Sequence, residues 1–277
     1  MKTYFLKTVP ILITAIIVAS CSGNGDKPAA TETTEPEIQK KDTLIAIQDC
    51  QHKMPTYIFA GQNDKLLHEI LPDDYIDNSI NVFLLERGDK NILFDAGLGT
   101  SQNGHLLEKL DSIGLQPDDI TDICITHFHG DHIGGLLTAE GEAVFKNAKL
   151  HFSDMELEIW TDGVFKGNSE TVDNMLKAYD GRYETFQAGD TIIDGIVTIA
   201  AYGHTPGHTM YDIGETLIVG DIMHAIDLQI EHPEFSAIYD FGPLEARETR
   251  ISVLETARKS HKPMAGMHFP APHIIKL

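Results

Sequence analysis

Between Thr126 and His132 the chain reads THFHGDH, which puts three imidazoles and a carboxylate into the six positions from His127 to His132. Neutral imidazole nitrogens and a carboxylate oxygen gathered in one short loop suit a borderline divalent cation such as zinc. His127 and His129, two residues apart on an extended segment, point to the same side. Gly130 allows the tight turn that returns Asp131 and His132 toward them. A loop of solvated histidines is the competing reading, but the apolar run DICIT before the loop and IGGLL after it argue that it issues from a core. One loop supplies four ligands at most, so a metal site calls for further His and Asp at distant strand ends. The sequence has them: YGHTPGH offers His204 and His208 after an apolar run, LIVGD ends in Asp221, and AGMHF places His268 beside Phe269.

Those groups need elements to hold them. TLIAIQ and TYIFAG read as strands, and INVFLLERGDKNILFDAG reads as two apolar runs around a turn, a hairpin signal. GHLLEKLDSIG is helical, DICIT is a strand, and HIGGLLT begins a helix. KLHFS is a strand, DMELEIW and SETVDNMLKAY are helical, and TIIDGIVTIAAYG and GETLIVGD are strands. The long helix GPLEARETRISVLETARK precedes a last strand, PMAGMHF. Strands dominate both halves and helices interrupt them, which predicts an α/β layered architecture rather than an all-β barrel. There is no internal repeat.

With 21 Lys and Arg against 42 Asp and Glu, the formal charge is −21. Such a chain is repelled by phosphate backbones, so nucleic acid is not the expected substrate. The first twenty residues read as an export signal: Lys2 and Lys7 form a basic start, and VPILITAIIVA is an apolar run too short to span a bilayer. VASC, ending at Cys21, resembles the lipobox of bacterial lipoproteins, with cleavage before the cysteine and lipid on the new terminus. Residues 21–42 are poor in large apolar side chains and suit a disordered tether, leaving 43–277 as one domain. The expected location is an exported, membrane-anchored lipoprotein on the periplasmic face or outer membrane. With Cys21 lipidated, only Cys50 and Cys124 remain, so no disulfide framework is expected.

Taken together, His127-x-His129-x-Asp131-His132 followed by His208, Asp221 and His268 resembles the metallo-β-lactamase superfamily, over nearly all of residues 43–277. The resemblance implies a four-layer αβ/βα sandwich with a two-metal site along one edge. It implies that His127, His129 and His208 hold the first ion, that Asp131, His132 and His268 hold the second, and that Asp221 bridges them. His204 is then a pocket or supporting residue, and Asp95 in LFDAG the aspartate that orients a ligand histidine. Two divalent ions, zinc by ligand preference, would share a hydroxide whose pKa is pulled toward neutrality, with Asp131 relaying a proton. Asp131 and Asp221 are accordingly the expected catalytic carboxylates.

The segments around GDIMHAIDLQIEHPEF and GMHFPAPHI resemble the branch containing methyl parathion hydrolase and exported lactonases, with His224 where many short lactonases carry tyrosine. The implied reaction is hydrolysis of a lactone, carboxylic ester or phosphotriester, with a small-molecule substrate. A β-lactamase, or a non-catalytic metal-binding surface lipoprotein, are the alternatives. His224, His273 and Phe269 are further pocket candidates, and Trp160, Phe128, Phe165 and Phe235 could add an aromatic wall. The ending at Leu277 leaves a last edge strand in question, and the oligomeric state is open, a homodimer included.

Overall fold

The structure, a computed structural model, describes residues 42–277; the expected signal, Cys21 and nearly all of the tether lie outside the described residues. Two six-stranded sheets each add their strands in chain order. The first contains β1 (Thr43–Pro55), β2 (Tyr75–Arg87), β3 (Lys90–Phe94), β4 (Asp122–Cys124), β5 (Lys149–Ser153) and β6 (Tyr183–Phe186). The second contains β7 (Thr191–Ile192), β8 (Ile196–Ala200), β9 (Thr209–Asp212), β10 (Leu217–Gly220), β11 (Met264–Gly266) and β12 (Ile274–Ile275), so the last edge strand is present. The helices are α1 (Asp64–Ile70), α2 (Leu106–Ser112), α3 (Gly130–Ile133), α4 (Asp154–Thr161), α5 (Glu170–Ala178), α6 (Ile226–Gln229) and α7 (Pro243–Ser260). None among the described residues is long and apolar enough to cross a membrane.

Burial on both faces explains why the strands read as unbroken apolar runs. In β2, Val82 and Leu84 pack with Leu106 and Leu110 of α2 and Val172 and Met175 of α5. Their neighbours Phe83 and Leu85 turn the other way, toward Ile196, Tyr211 and Ile218 of the second sheet. The outer face of that sheet, through Met210, Leu217 and Val219, is covered by Val253, Leu254 and Ala257 of α7. The result is helix, sheet, sheet, helix, the four-layer αβ/βα sandwich.

Two expected elements differ. TYIFAG is not a strand: Thr56–Phe59 forms a 3-10 turn, in which the adjacent residues Ile58 and Phe59 are both fully buried. Alternating strand geometry would have turned one of them out. TIIDGIVTIAA is two strands, because Asp194 and Gly195 adopt positive φ of 45° and 86° and fold β7 back on β8. Asp-Gly is a favoured pair in hairpin turns, which the single-strand expectation overlooked.

Strand direction positions the chemistry. β3 and β4 run parallel with Phe94 opposite Cys124, and β10 and β11 run parallel with Gly220 opposite Gly266. The residues just beyond these carboxyl ends, Asp95, His127, Asp221 and His268, therefore emerge along one edge. There the sheets are joined by the Thr209 N–H to Thr126 O (3.0 Å) and the Asn81 N–H to Met267 O (2.8 Å).

Candidate metal centre

At this edge, Asp221 Oδ2 is ringed by imidazole nitrogens from both sheets. His268 Nε2 lies at 3.0 Å, His132 Nε2 at 3.3 Å, His204 Nε2 at 3.4 Å, His224 Nε2 at 3.5 Å and His127 Nε2 at 3.9 Å. His129 Nδ1 is 2.9 Å from His127 Nε2 and 3.0 Å from His204 Nε2. Asp131 Oδ2 is 3.5 Å from His268 Nε2 and 3.7 Å from His132 Nε2. His127, His129 and His204 make one group of mutually close donor atoms, and Asp131, His132 and His268 another, with Asp221 adjoining both.

Four of these rings have their far nitrogen tied outward, which leaves Nε2 turned inward. His127 Nδ1 lies 3.0 Å from Thr126 Oγ1, whose hydroxyl donates to Asp95 Oδ2 at 2.8 Å. His132 Nδ1 donates to Asp95 Oδ2 at 2.7 Å, His204 Nδ1 to Asp240 Oδ1 at 3.0 Å and His268 Nδ1 to Ser79 O at 3.1 Å. Asp240 is held in turn by the fully buried Arg250 of α7 at 3.2 Å. The same guanidinium donates to the carbonyls of Ile222, Pro233 and Phe235, so it also fixes the chain just past Asp221.

The electrostatics match a cation site. Burial, followed by the neighbouring His132 and His129, holds His127 well below the usual imidazole range. Burial and then His204 lower His129 to about 3. Around His132, burial is outweighed by Asp221, Asp131 and Asp95, which raise it well above the ordinary value; for His268, burial is likewise outweighed by Asp221 and Asp131, and its value is raised. Asp221 is driven well below the carboxylate range, burial being outweighed by His132 and His268. His132 Nε2 and Asp221 Oδ1 are buried with no hydrogen-bond partner, a state that costs about 1–3 kcal/mol per group and that ligation would relieve. Nitrogen and carboxylate donors in two adjoining groups fit a pair of divalent ions, zinc foremost.

His208, expected as a ligand, is a correction. Its Nδ1 donates to Ala201 O at 3.0 Å and its Nε2 accepts the Asp221 N–H at 3.0 Å, so neither nitrogen has a lone pair left to offer. It stands behind the site and orients Asp221, with Gly220 pressed so close that a Cβ there would overlap its ring. His204, expected only as support, occupies the donor position instead. His224 lines the cleft, stacked on His268 at 5.0 Å. His273 does not reach the cleft: it has positive φ (67°) and its Nδ1 donates to Phe269 O, closing the C-terminal turn. Phe269 is fully buried against the α7 side of the second sheet, because successive side chains at a strand end face opposite ways. Phe128 and Phe235 are core residues too, while Trp160 and Phe165 pack together at 4.7 Å, with Trp160 edge-on to His129.

Above the donors opens a cleft of about 430 Å³, walled by Met54, Pro55, Ile80 and Tyr239, with His52 beside them. Sequence reasoning missed these wall residues, and it missed Asp240, Arg250 and Glu156. Arg250 left no signal beyond its place in an amphipathic helix. Glu156, at the third position after Ser153, reads as half of a capping box. Ser153 Oγ does accept the Glu156 N–H at 3.2 Å, but the carboxylate turns inward.

Comparison with known proteins agrees with this geometry. Residues 75–262 match the family model of the metallo-beta-lactamase superfamily. The crystal structure of the hydrolase AbOPH of the beta lactamase superfamily superposes with a TM-score of 0.77 at 30% identity, over 86% of this chain and 91% of that one. AidC, a dizinc quorum-quenching lactonase solved with a product, N-hexanoyl-L-homoserine, gives 0.75 at 27% identity over 85% and 90%. An N-acyl homoserine lactonase from Bacillus sp is 25% identical over 207 residues, 66% of this chain and 77% of its own length.

Proposed function

Since the chain belongs to the metallo-beta-lactamase superfamily and is a metal-dependent hydrolase, we propose that it opens a lactone ring, with related carboxylic or phosphoric esters as secondary substrates. The observation that carries this reading is the convergence of inward-facing imidazole nitrogens on Asp221 Oδ2 at the floor of a cleft with an apolar wall. The likeness to AidC and to the Bacillus lactonase supports the choice of bond.

In this reading His127, His129 and His204 would hold one ion and Asp131, His132 and His268 the other, with Asp221 adjoining both groups. When bound, such a pair supplies an acidified water and a Lewis-acid hold on the electrophilic oxygen. The protein's own groups do the rest. Asp95, Thr126, Asp240 and the Ser79 carbonyl fix the rings, which removes reorganisation from the reaction. Asp131, whose carboxylate is partly open to the cleft, can take a proton on the oxygen not turned to the ion and return it to the leaving oxygen. Met54, Pro55, Ile80 and Tyr239 exclude water from one side and favour an uncharged, partly apolar substrate. His224, 3.5 Å from Asp221 Oδ2, lines the same cleft.

The test is pH-indicator hydrolysis by the purified protein against acyl-homoserine lactones, aryl esters, phosphotriesters and β-lactams, with metal counted on the same sample. Lactone turnover abolished by chelation and restored by metal is the expected result; turnover of β-lactams alone would replace the reading, and two ions without turnover on any class would favour a metal-binding surface protein. The basic and apolar start of the chain and Cys21 support export and lipid anchoring to a membrane, which mass measurement of the mature N-terminus would test.

A further inference from the structure

Glu156, in the first turn of α4, is only 1% exposed, and no cation faces its carboxylate among the contacts it makes. Oε1 accepts the Phe128 N–H at 2.9 Å and the Trp160 indole N–H at 2.8 Å, and Oε2 accepts the Thr205 hydroxyl at 2.7 Å. Each donor has a telling place in the chain. Phe128 sits between His127 and His129, Thr205 follows His204, and Trp160 stands edge-on to His129 with ring centroids 6.2 Å apart. Gly207 presses against the Glu156 backbone so closely that a Cβ there would overlap it, which seats the 204–208 loop on the start of α4. A buried carboxylate is costly unless its oxygens are satisfied, and here all three donors come from the surroundings of one group of histidines. Nothing comparable joins Glu156 to Asp131, His132 or His268.

We propose that Glu156 is a positioning residue that sets the separation between the loop carrying His127 and His129 and the loop carrying His204, and so tunes the first ion alone. The proposal rests on the assignment of those three histidines as ligands. Hydrogen bonds from beyond the ligands typically change metal affinity ten- to hundredfold, and this single side chain spans two of the loops that must agree.

Trp160 is the chain's only tryptophan, so its emission reports this corner. The experiment is a cobalt(II) titration of the metal-stripped protein, following Trp160 quenching, with total bound cobalt counted by equilibrium dialysis, for the parent, Glu156→Gln, Glu156→Ala and Thr205→Val. The parent is expected to bind two ions, one of which quenches Trp160. Glu156→Ala should need about ten- to hundredfold more cobalt to quench while the other ion binds as in the parent. Glu156→Gln should stay close to the parent, since its carbonyl still accepts from Phe128 and Trp160 and its amide can donate to the Thr205 hydroxyl. Thr205→Val, which removes one of the three bonds, should weaken the quenching ion by a smaller factor and serves if Glu156→Ala does not fold. Unchanged titrations in Glu156→Ala and Thr205→Val, or equal weakening of both ions, would overturn the proposal alone. A parent that binds no cobalt would overturn the histidine assignment and the proposal with it.

Discussion

The two sheets contribute to the site in opposite ways. The first delivers His127, His129, Asp131 and His132 from one loop after β4, whereas the second delivers His204, Asp221 and His268 from three loops after β8, β10 and β11. In the first, local turn geometry does most of the placing, and Asp95 with Thr126 finishes it from the ends of neighbouring parallel strands. In the second, each donor needs its own long-range support: Asp240 and Arg250 for His204, the His208 ring for the Asp221 backbone, and Ser79 for His268. A site can thus be compact in sequence on one side and assembled residue by residue on the other. The assembled side is the one that distant substitutions should disturb.

The strongest challenge to this comparison is Asp221→Ala, which removes the one carboxylate shared by both halves. Breaking such a buried charge network costs about 3–5 kcal/mol of stability, and both ions, and turnover with them, should be lost on metal counting and assay of the same sample. Retention of two ions would deny Asp221 its place between the halves. Next in size is the pair of histidines in HTPGH. His204→Ala should release one ion of two, while His208→Ala should keep both and cost about 1–3 kcal/mol in denaturant unfolding through its orphaned backbone partners; the reverse pattern would restore His208 as the ligand.

Smaller effects separate the supports. Asp240→Asn should weaken one ion about ten- to hundredfold in chelator competition through His204, whereas Asp95→Asn should weaken both, acting on His132 directly and on His127 through Thr126. Asn tolerates the positive φ of 61° at Asp95, so that variant tests the hydrogen bond rather than the backbone. If Asp240→Asn loosened both ions equally, His204 would not serve one ion alone.

The smallest effect lies at the opposite end of β4. Asp122, bonded to His151 at 2.9 Å and near Lys90, is held below the ordinary carboxylate range, because burial, which would raise it, is outweighed by the His151 and Thr121 hydrogen bonds and by Lys90. A depressed folded pKa gives stability that is complete above the unfolded value of about 3.9 and lost as pH falls through the folded one. Asp122→Asn should therefore flatten the acid limb of stability below about pH 4 and leave metal content and neutral-pH turnover unchanged. A change in metal content would show that charge at that end of the strand reaches the site.

Much of the first half was legible because its residues are consecutive. The motif from His127 to His132 can be read without knowing any neighbour, and the apolar runs of β2 and β3 announce strands covered on both sides. The second half was legible only as candidates. Two histidines four apart in HTPGH have equal claims by spacing, and the choice turns on Ala201 O and the Asp221 N–H having taken both nitrogens of His208. Phe269 and His273 stand near His268 in sequence, but the alternation of a strand end sends Phe269 into the core and a positive-φ turn keeps His273 at the C-terminal bend. The short TYIF segment reads as β by composition, and the demand to bury both Ile58 and Phe59 made it a turn.

What the sequence determined by itself is the layering, the acidic character, and the clustered donors that call for metal ions, since periodicity and residue type are local properties. What only the tertiary structure decided is which histidine ligates and which supports, and the roles of Asp240, Arg250 and Glu156. Asp240 meets His204 across 36 residues and Glu156 meets Thr205 across 49. Such partnerships depend on how separate loops converge at the sheet edge, and a hydrogen bond is fixed by that convergence rather than by any pattern along the chain.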